Sequence, residues 1–328
     1  MPEIPVSWWI AFNAFVIFML ALDLGVFNRK AHVVKVKEAL GWTAVWIVFA
    51  MIFNGWVWWK LGAKAGEEFF AGYLLEKSLS VDNVFVFAVI FSFFKVPREY
   101  QHKVLFWGIF GALALRAIMI AGGAALITSA AWIIYFFAAW LVYTGIKMFS
   151  HDDDSVDPGK SIAVRLLKRM MPMTQSYVGS KFLVKQDGKW FATPLLAVLL
   201  CVEVTDVIFA VDSIPAIFAI TTDTFIVYTS NVFAILGLRA LYFAIAGILP
   251  YFHYLKHGLG VILIFVGVKM SLAHTPWKID MHVSLGVIVG VLVISVIASI
   301  IHRKRHPLPP AETPEEAVEA EIAEKEKE

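Results

Sequence analysis

Charge is scarce in this chain. Asp, Glu, Lys and Arg make up 16% of 328 residues, where a soluble domain carries about 25%. Hydrophobic residues reach 59% and mean hydropathy is +0.74. This excludes an ordinary soluble domain and implies several membrane spans. Cysteine is scarcer still. Cys201 stands alone, so the chain forms neither an internal disulfide nor a thiolate metal cluster. Histidine is missing from the middle of every apolar run. His32, His102, His151, His253, His257, His274, His282, His302 and His306 fall in loops or at the ends of runs. There is no phosphate-binding loop and no nucleophile–base pair, so no enzyme and no permanent cofactor is expected. The net charge of +2 gives no reason to expect nucleic acid as a partner. The residues from Met1 to Pro5 lack a basic region, and the apolar run after them lacks a cleavage site. A retained first helix is expected, not a signal peptide.

Long apolar runs are abundant. Nine of them, at about 6–27, 38–59, 69–94, 103–126, 130–149, 194–220, 224–248, 257–274 and 282–301, are long enough to span. A helix needs about 20 residues to cross a bilayer. The runs do not alternate polar with apolar, as a membrane barrel would. The expected fold is all-α and polytopic, with nine transmembrane helices in contact with the lipid bilayer. Lysine and arginine set its orientation. Alternate loops and the segment after the last run hold eighteen of them, the others three (Lys60, Lys64 and Lys278). The N-terminus is expected outside and the C-terminus in the cytoplasm. The tryptophans Trp8, Trp9, Trp56, Trp58 and Trp59 suit interfacial anchors.

A repeat runs through the middle of the chain. Phe110 to Ala117 reads FGALALRA, and Phe233 to Ala240 reads FAILGLRA. Gly145 to Met148 matches Gly267 to Met270, and the acidic stretch at Asp82 matches that at Asp206. The offsets lie between 122 and 124 positions. Residues 69–149 and 194–274 are therefore expected to be two copies of a three-helix unit. Three spans is an odd number, so the copies insert upside down relative to each other, a recurring design in secondary transporters. A membrane domain over 1–301 then comprises these copies, a cytoplasmic connector at 150–193 and a last helix at 275–301. The connector opens on His151-Asp152-Asp153-Asp154, a solvated acidic loop or a metal-recruiting patch. A tail at 302–328, rich in proline and glutamate, is expected to be disordered.

Carboxylates lie deep inside the runs. Glu203, Asp206 and Asp212 share the sixth, and Glu76 and Asp82 the third. A charge at the centre of a membrane helix costs about 2.5–3.5 kcal/mol on translocon scales. Glu76, Ser80 and Asn83 share one helical face, as do Glu203 and Asp206. Asp212 sits about 120° from Asp206 on a straight helix. Pro215 is expected to keep this helix from running straight, opening a turn beside Asp212 and freeing the carbonyl of Val211, with the hydroxyls of Ser213 and Thr205 nearby. With Asp23 there are six acids in the runs. Lys77, Arg116 and Arg239 are the bases well inside, and Lys147 and Lys269 lie nearer the ends. The arginines are expected to be structural ion-pair partners. One to three positive charges are still lacking, which a divalent cation or a shared proton would supply. The donors are all oxygen, which suits Mn²⁺, Mg²⁺, Ca²⁺ or Na⁺ rather than Zn²⁺ or Cu⁺. Asp23 is an entry ligand or an interfacial residue.

These motifs resemble a known family. Glu76-Lys-Ser-Leu-Ser-Val-Asp-Asn83, Asp206 to Ala216, Asn231 to Ala240 and Gly267 to Met270 are similar to the TerC family of integral membrane proteins, most of all its Alx-type bacterial members. The resemblance covers the chain to about Ile301. It implies a fold related to LysE-type exporters, a place in the bacterial inner (cytoplasmic) membrane, and efflux of Mn²⁺ as the divalent cation substrate. Carried over by position, the metal ligands are Glu76, Asp82, Glu203, Asp206 and Asp212, with Asn83 and Ser213 as neutral donors. Protons are the expected counter-ion, since clustered carboxylates in a low dielectric can exchange a metal for protons. Plant relatives imply an alternative, a membrane-protein insertion factor using the same charged groove.

Overall fold

The computed structural model describes residues 4–22, 36–130, 132–149, 162–186, 188–245, 254–273 and 275–305. Asp23, the stretch from His151 to Asp154, the tail from 306 onward and the side chain of Asp82 lie outside the described residues. Helices occupy all nine apolar runs. They are α1 (Val6–Leu22), α2 (Val36–Leu61), α3 (Ala63–Phe93), α4 (Arg98–Ser129), α5 (Ile133–Lys147), α7 (Pro194–Phe218), α8 (Thr224–Leu236) with α9 (Leu238–Ile245), α10 (Leu255–Ser271) and α11 (Met281–Arg305). By length and composition, five of these helical stretches can cross a membrane: α2, α4, α7, α8 with α9, and α11. Their outer faces carry exposed apolar side chains, among them Ile118, Ile208 and Ile294.

Three local features add to the sequence expectation. The connector carries a short helix, α6 (Ile162–Met170), and an antiparallel hairpin, β1 (Leu183–Gln186) with β2 (Lys189–Ala192). Val164, Leu167, Val184 and Ala192 pack under the ends of α3, α4 and α7, so the connector is part of a core rather than a loose loop. The seventh run is divided at Gly237. There Lys77 reaches across from α3 and donates to the carbonyl of Ala234 at 3.2 Å. A cation at a helix C-terminus is favourable because the last carbonyls point outward unpaired. Lastly, α7 continues through Pro215 to Phe218. Proline has no N–H to give the carbonyl of Val211, so that carbonyl lacks its usual helical donor while the helix carries on for about one more turn.

Helix α8 lies at the centre. Every residue from Phe225 to Leu236 is buried, which explains why apolar residues occur on all its sides, with Thr229, Ser230 and Asn231 as buried polar exceptions. Its start is fixed by Asp223, whose side chain accepts from the amides of Phe225 at 3.0 Å and Ile226 at 3.2 Å. Loss of such a cap costs about 1 kcal/mol. Asp223→Ala is expected to lower the thermal midpoint of the purified protein, and Asp223→Asn to restore most of it. Phe53 meets Phe12 and Phe69, and all three rings meet Phe233 of α8, in tilted and edge-to-face contacts at centroid distances of 5.1–6.2 Å. Helix α3 packs chiefly on α8, α4 on α7, and α5 on α10. The α5–α10 contact is the closest. A Cβ on Gly145 would stand 2.7 Å from the carbonyl oxygen of Gly260, and one on Gly267 2.7 Å from that of Ala138.

Candidate cation site

Arg116 is the hub of the polar interior. It lies on the buried stripe of α4 with Ala112, Leu113 and Ile120, so its side chain must enter the bundle. It is 1% exposed. Its Nε and Nη2 donate to the two oxygens of Asp206 on α7, at 3.2 and 3.1 Å. Its Nη1 donates to Glu76 of α3, to Ser213 of α7 at 3.2 Å and to the amide oxygen of Asn231 on α8 at 3.3 Å. Asn231 in turn donates to the other oxygen of Glu76 at 3.0 Å. Four helices are thus tied at one guanidinium. Two carboxylates share a single positive charge.

The sequence-predicted residues divide into groups. Glu76, Asp206 and Ser213 meet directly at Arg116. Asn83 joins them through a long contact of 3.5 Å from its amide to Asp206, and its Oδ1 has no hydrogen-bond partner among the described residues. Asp212 leaves from another side of α7, as its helical angle predicts. It accepts from Trp140 Nε1 at 2.7 Å and Thr144 at 3.1 Å, both on α5. Glu203 lies one turn before Asp206 and rests over α4 where Gly111 leaves room; any Cβ there would collide with its carboxylate. Its Oε2 is buried with no hydrogen-bond partner among the described residues. Arg239 lines a small pocket beside Asp206.

A cavity of about 250 Å³ opens beside this knot. Glu76, Asn83, Arg116, Asp212 and Ser213 form its polar wall, and it extends to Lys147 and Lys256 at the ends of α5 and α10. A larger cavity of about 1240 Å³ lies toward the other ends of the helices, with Glu68, Thr221 and Lys269 on its wall. Between the two, α7 places Ile214, Ile217 and Phe218, all buried. Among the described residues, no three His, Cys, Asp or Glu side chains converge closely enough to hold a metal ion. The physical reason is visible: the guanidinium fills the space between Glu76 and Asp206. Sequence reasoning placed Arg116 as an ion-pair partner but missed Asn231, Trp140 and Thr144. A lone asparagine inside an apolar run was the available signal for the first. Nothing in the sequence marks the other two.

Comparison with known proteins decides the family. The profile of the integral membrane protein TerC family matches residues 61–307. The chain belongs to the TerC family. It is 53% identical over 306 residues to the "Uncharacterized membrane protein STKORF319" of Myxococcus xanthus, covering 93% of this chain and 96% of that one. It is 47% identical over 308 residues to a protein of Escherichia coli (strain K12) provisionally named membrane-bound redox modulator Alx, covering 91% and 95%. The Alx of Salmonella typhi is 46% identical over 298 residues, covering 88% and 92%. No solved structure matches. As a TerC protein with several long apolar helices, the chain is a multi-pass integral membrane protein embedded in lipid. The TerC match takes in Arg116 and every helix that contributes to its knot.

Proposed function

We propose that this TerC protein is a secondary transporter of the cytoplasmic (inner) membrane. It exports a divalent cation, with Mn²⁺ first among the candidates, in exchange for protons. One observation carries this. Two buried carboxylates share Arg116, while Glu203 buries a further carboxylate oxygen with no hydrogen-bond partner among the described residues. Buried anionic oxygen in excess of its bases calls for a cation or for protons. The proposed ligands are drawn from Glu76, Asp82, Asn83, Glu203, Asp206, Asp212 and Ser213, all oxygen donors suited to a hard cation.

The proposal includes nine spans with the N-terminus outside, and inverted copies at 69–149 and 194–274. The α5–α10 contact supports the copies. Gly145 meets Gly260, and Gly267 meets Ala138. Gly145 and Gly267 stand 122 positions apart, as do Ala138 and Gly260. Contacts that interchange when the copies are exchanged are what a two-fold axis requires. The packing of α3 on α8 and of α4 on α7 has the same reciprocity. In this orientation the smaller cavity faces the cytoplasm and the larger one the outside. Two cavities facing opposite ways across a short apolar plug suit alternating access. Lys147 and Lys256 have the wrong sign to draw a cation in; the attraction comes from the carboxylates beyond them.

The test is uptake of radioactive Mn²⁺ into inverted membrane vesicles, with and without a pH gradient. Flux that requires the protein and rises with the gradient is expected; no protein-dependent flux would refute export. Purified protein should also be stabilised selectively by Mn²⁺, by about 2.7 kcal/mol at a hundredfold excess over Kd. A membrane-protein insertion factor has no reason to respond selectively to Mn²⁺, so this titration separates the two functions. The redox role in the name of the Alx relatives finds no thiol couple here, since Cys201 is the only cysteine and is buried.

A further inference from the structure

We propose that Arg116 is a tethered counter-cation: its guanidinium occupies the place between Glu76 and Asp206 that the transported cation enters, and it leaves and returns once per cycle. This rests on the transport function proposed above and adds the device that keeps the site neutralised between cargoes. The geometry supports it in three ways. The guanidinium touches Glu76, Asp206 and Ser213, three of the seven proposed ligands, so cation and guanidinium compete for the same oxygens. Its partners come from α3 and α7, the leading helices of the two copies, so the pairing closes the interface that must rock. And there is room to withdraw. Arg116 itself lines the 250 Å³ cavity, and a further carboxylate, Asp212, stands on the same wall.

The charges are consistent with exchange. Taken by themselves, Glu76, Asp206 and the Arg116 guanidinium sum to −1, and the same two carboxylates with a divalent cation sum to zero. The cluster therefore favours the incoming ion, while Arg116 gains Asp212 as an alternative partner. When the ion leaves, the guanidinium, tethered to α4 beside the site, returns. Without that return only protons would neutralise the emptied carboxylates, and the cargo would be released more slowly. A ligand competing with an occluded state loses affinity in proportion to the fraction of time the site is open.

The experiment uses the full chain, purified for Mn²⁺ titration calorimetry and reconstituted in liposomes for Mn²⁺ flux. Arg116→Gln is expected to bind Mn²⁺ about tenfold more tightly than the wild type, as when Arg116 holds the site about nine-tenths of the time. Its flux is expected to fall at least about tenfold, because release becomes limiting. A purely structural tie between helices gives the opposite pattern, with binding weakened and flux lost together, and that result overturns the proposal. So does unchanged binding. Should Arg116→Gln fail to accumulate, Arg116→Lys serves instead. A single ammonium cannot hold Asp206 in the same forked way, so Mn²⁺ binding should tighten by a smaller factor with flux retained in part; equal or weaker binding overturns the proposal. Wild-type protein that binds no Mn²⁺ defeats the transport function and this proposal with it. Wild-type binding with no tightening in either variant defeats only the role of Arg116.

Discussion

Asp206→Asn is expected to stop Mn²⁺ flux, to below about a tenth of wild type, and to destabilise the protein as well. Asp206 accepts both arms of a forked contact from Arg116, at 3.2 and 3.1 Å, and is 2% exposed. The asparagine that replaces it has the same shape but presents an amide N–H₂ to a guanidinium that can only donate. Breaking a buried ion pair by removing one partner costs about 3–5 kcal/mol. The lower end applies here, because Glu76 stays on Arg116. Loss of flux has a separate cause: the site loses one of the carboxylates that neutralise the cargo. Asp206→Glu keeps the charge and is expected to recover part of the flux. Glu203→Gln provides the contrast. Its carboxylate has an oxygen with no partner among the described residues, so neutralising it removes a desolvation cost and should leave stability unchanged or improved. Wild-type flux from reconstituted Asp206→Asn would remove Asp206 from the site.

Valine at Gly145 or at Gly267 is the second large effect. Each new Cβ would stand 2.7 Å from a backbone carbonyl oxygen, and 2.7 or 2.8 Å from the side chain of Ile264 or Val142. A side chain can rotate away, but the backbone of a packed helix cannot, so α5 and α10 must separate. Overpacking a core costs about 1–3 kcal/mol, and a clash with backbone belongs at the upper end or beyond. Both variants are expected to lose folded protein on mild heating in detergent, read as the monodisperse fraction by gel filtration. If the copies are related by a two-fold axis, the two losses should be similar. Gly122→Ala is the control, since a Cβ there meets nothing within 4 Å, and it should be neutral or slightly stabilising. A Gly145→Val protein as heat-resistant as wild type would show that the helices do not need this approach.

Much of the architecture was legible in the sequence because helix-forming apolar runs are local patterns. The nine runs all fall on helices, and the angle between Asp206 and Asp212 follows from 3.6 residues per turn. The break at Gly237 was not legible. It depends on Lys77, more than 150 positions away in the chain, reaching the carbonyl of Ala234. The connector's apolar residues are interrupted by charged and polar ones and form no run long enough to span. Val164, Leu167 and Val184 become buried only once α3, α4 and α7 present a surface to cover.

By itself the sequence determined that this chain lives in a membrane, that acids lie inside its helices in excess of bases, and that two stretches of it are alike. These are properties of composition, period and spacing, and no contact is needed to establish them. Only the tertiary structure decided which base answers which acid. Glu76, Arg116, Asp206 and Asn231 are far apart in the chain, and their meeting depends on how four helices cross. That is why one guanidinium came to stand between two of the acids while Glu203 was directed against Gly111 and Asp212 against Trp140 and Thr144.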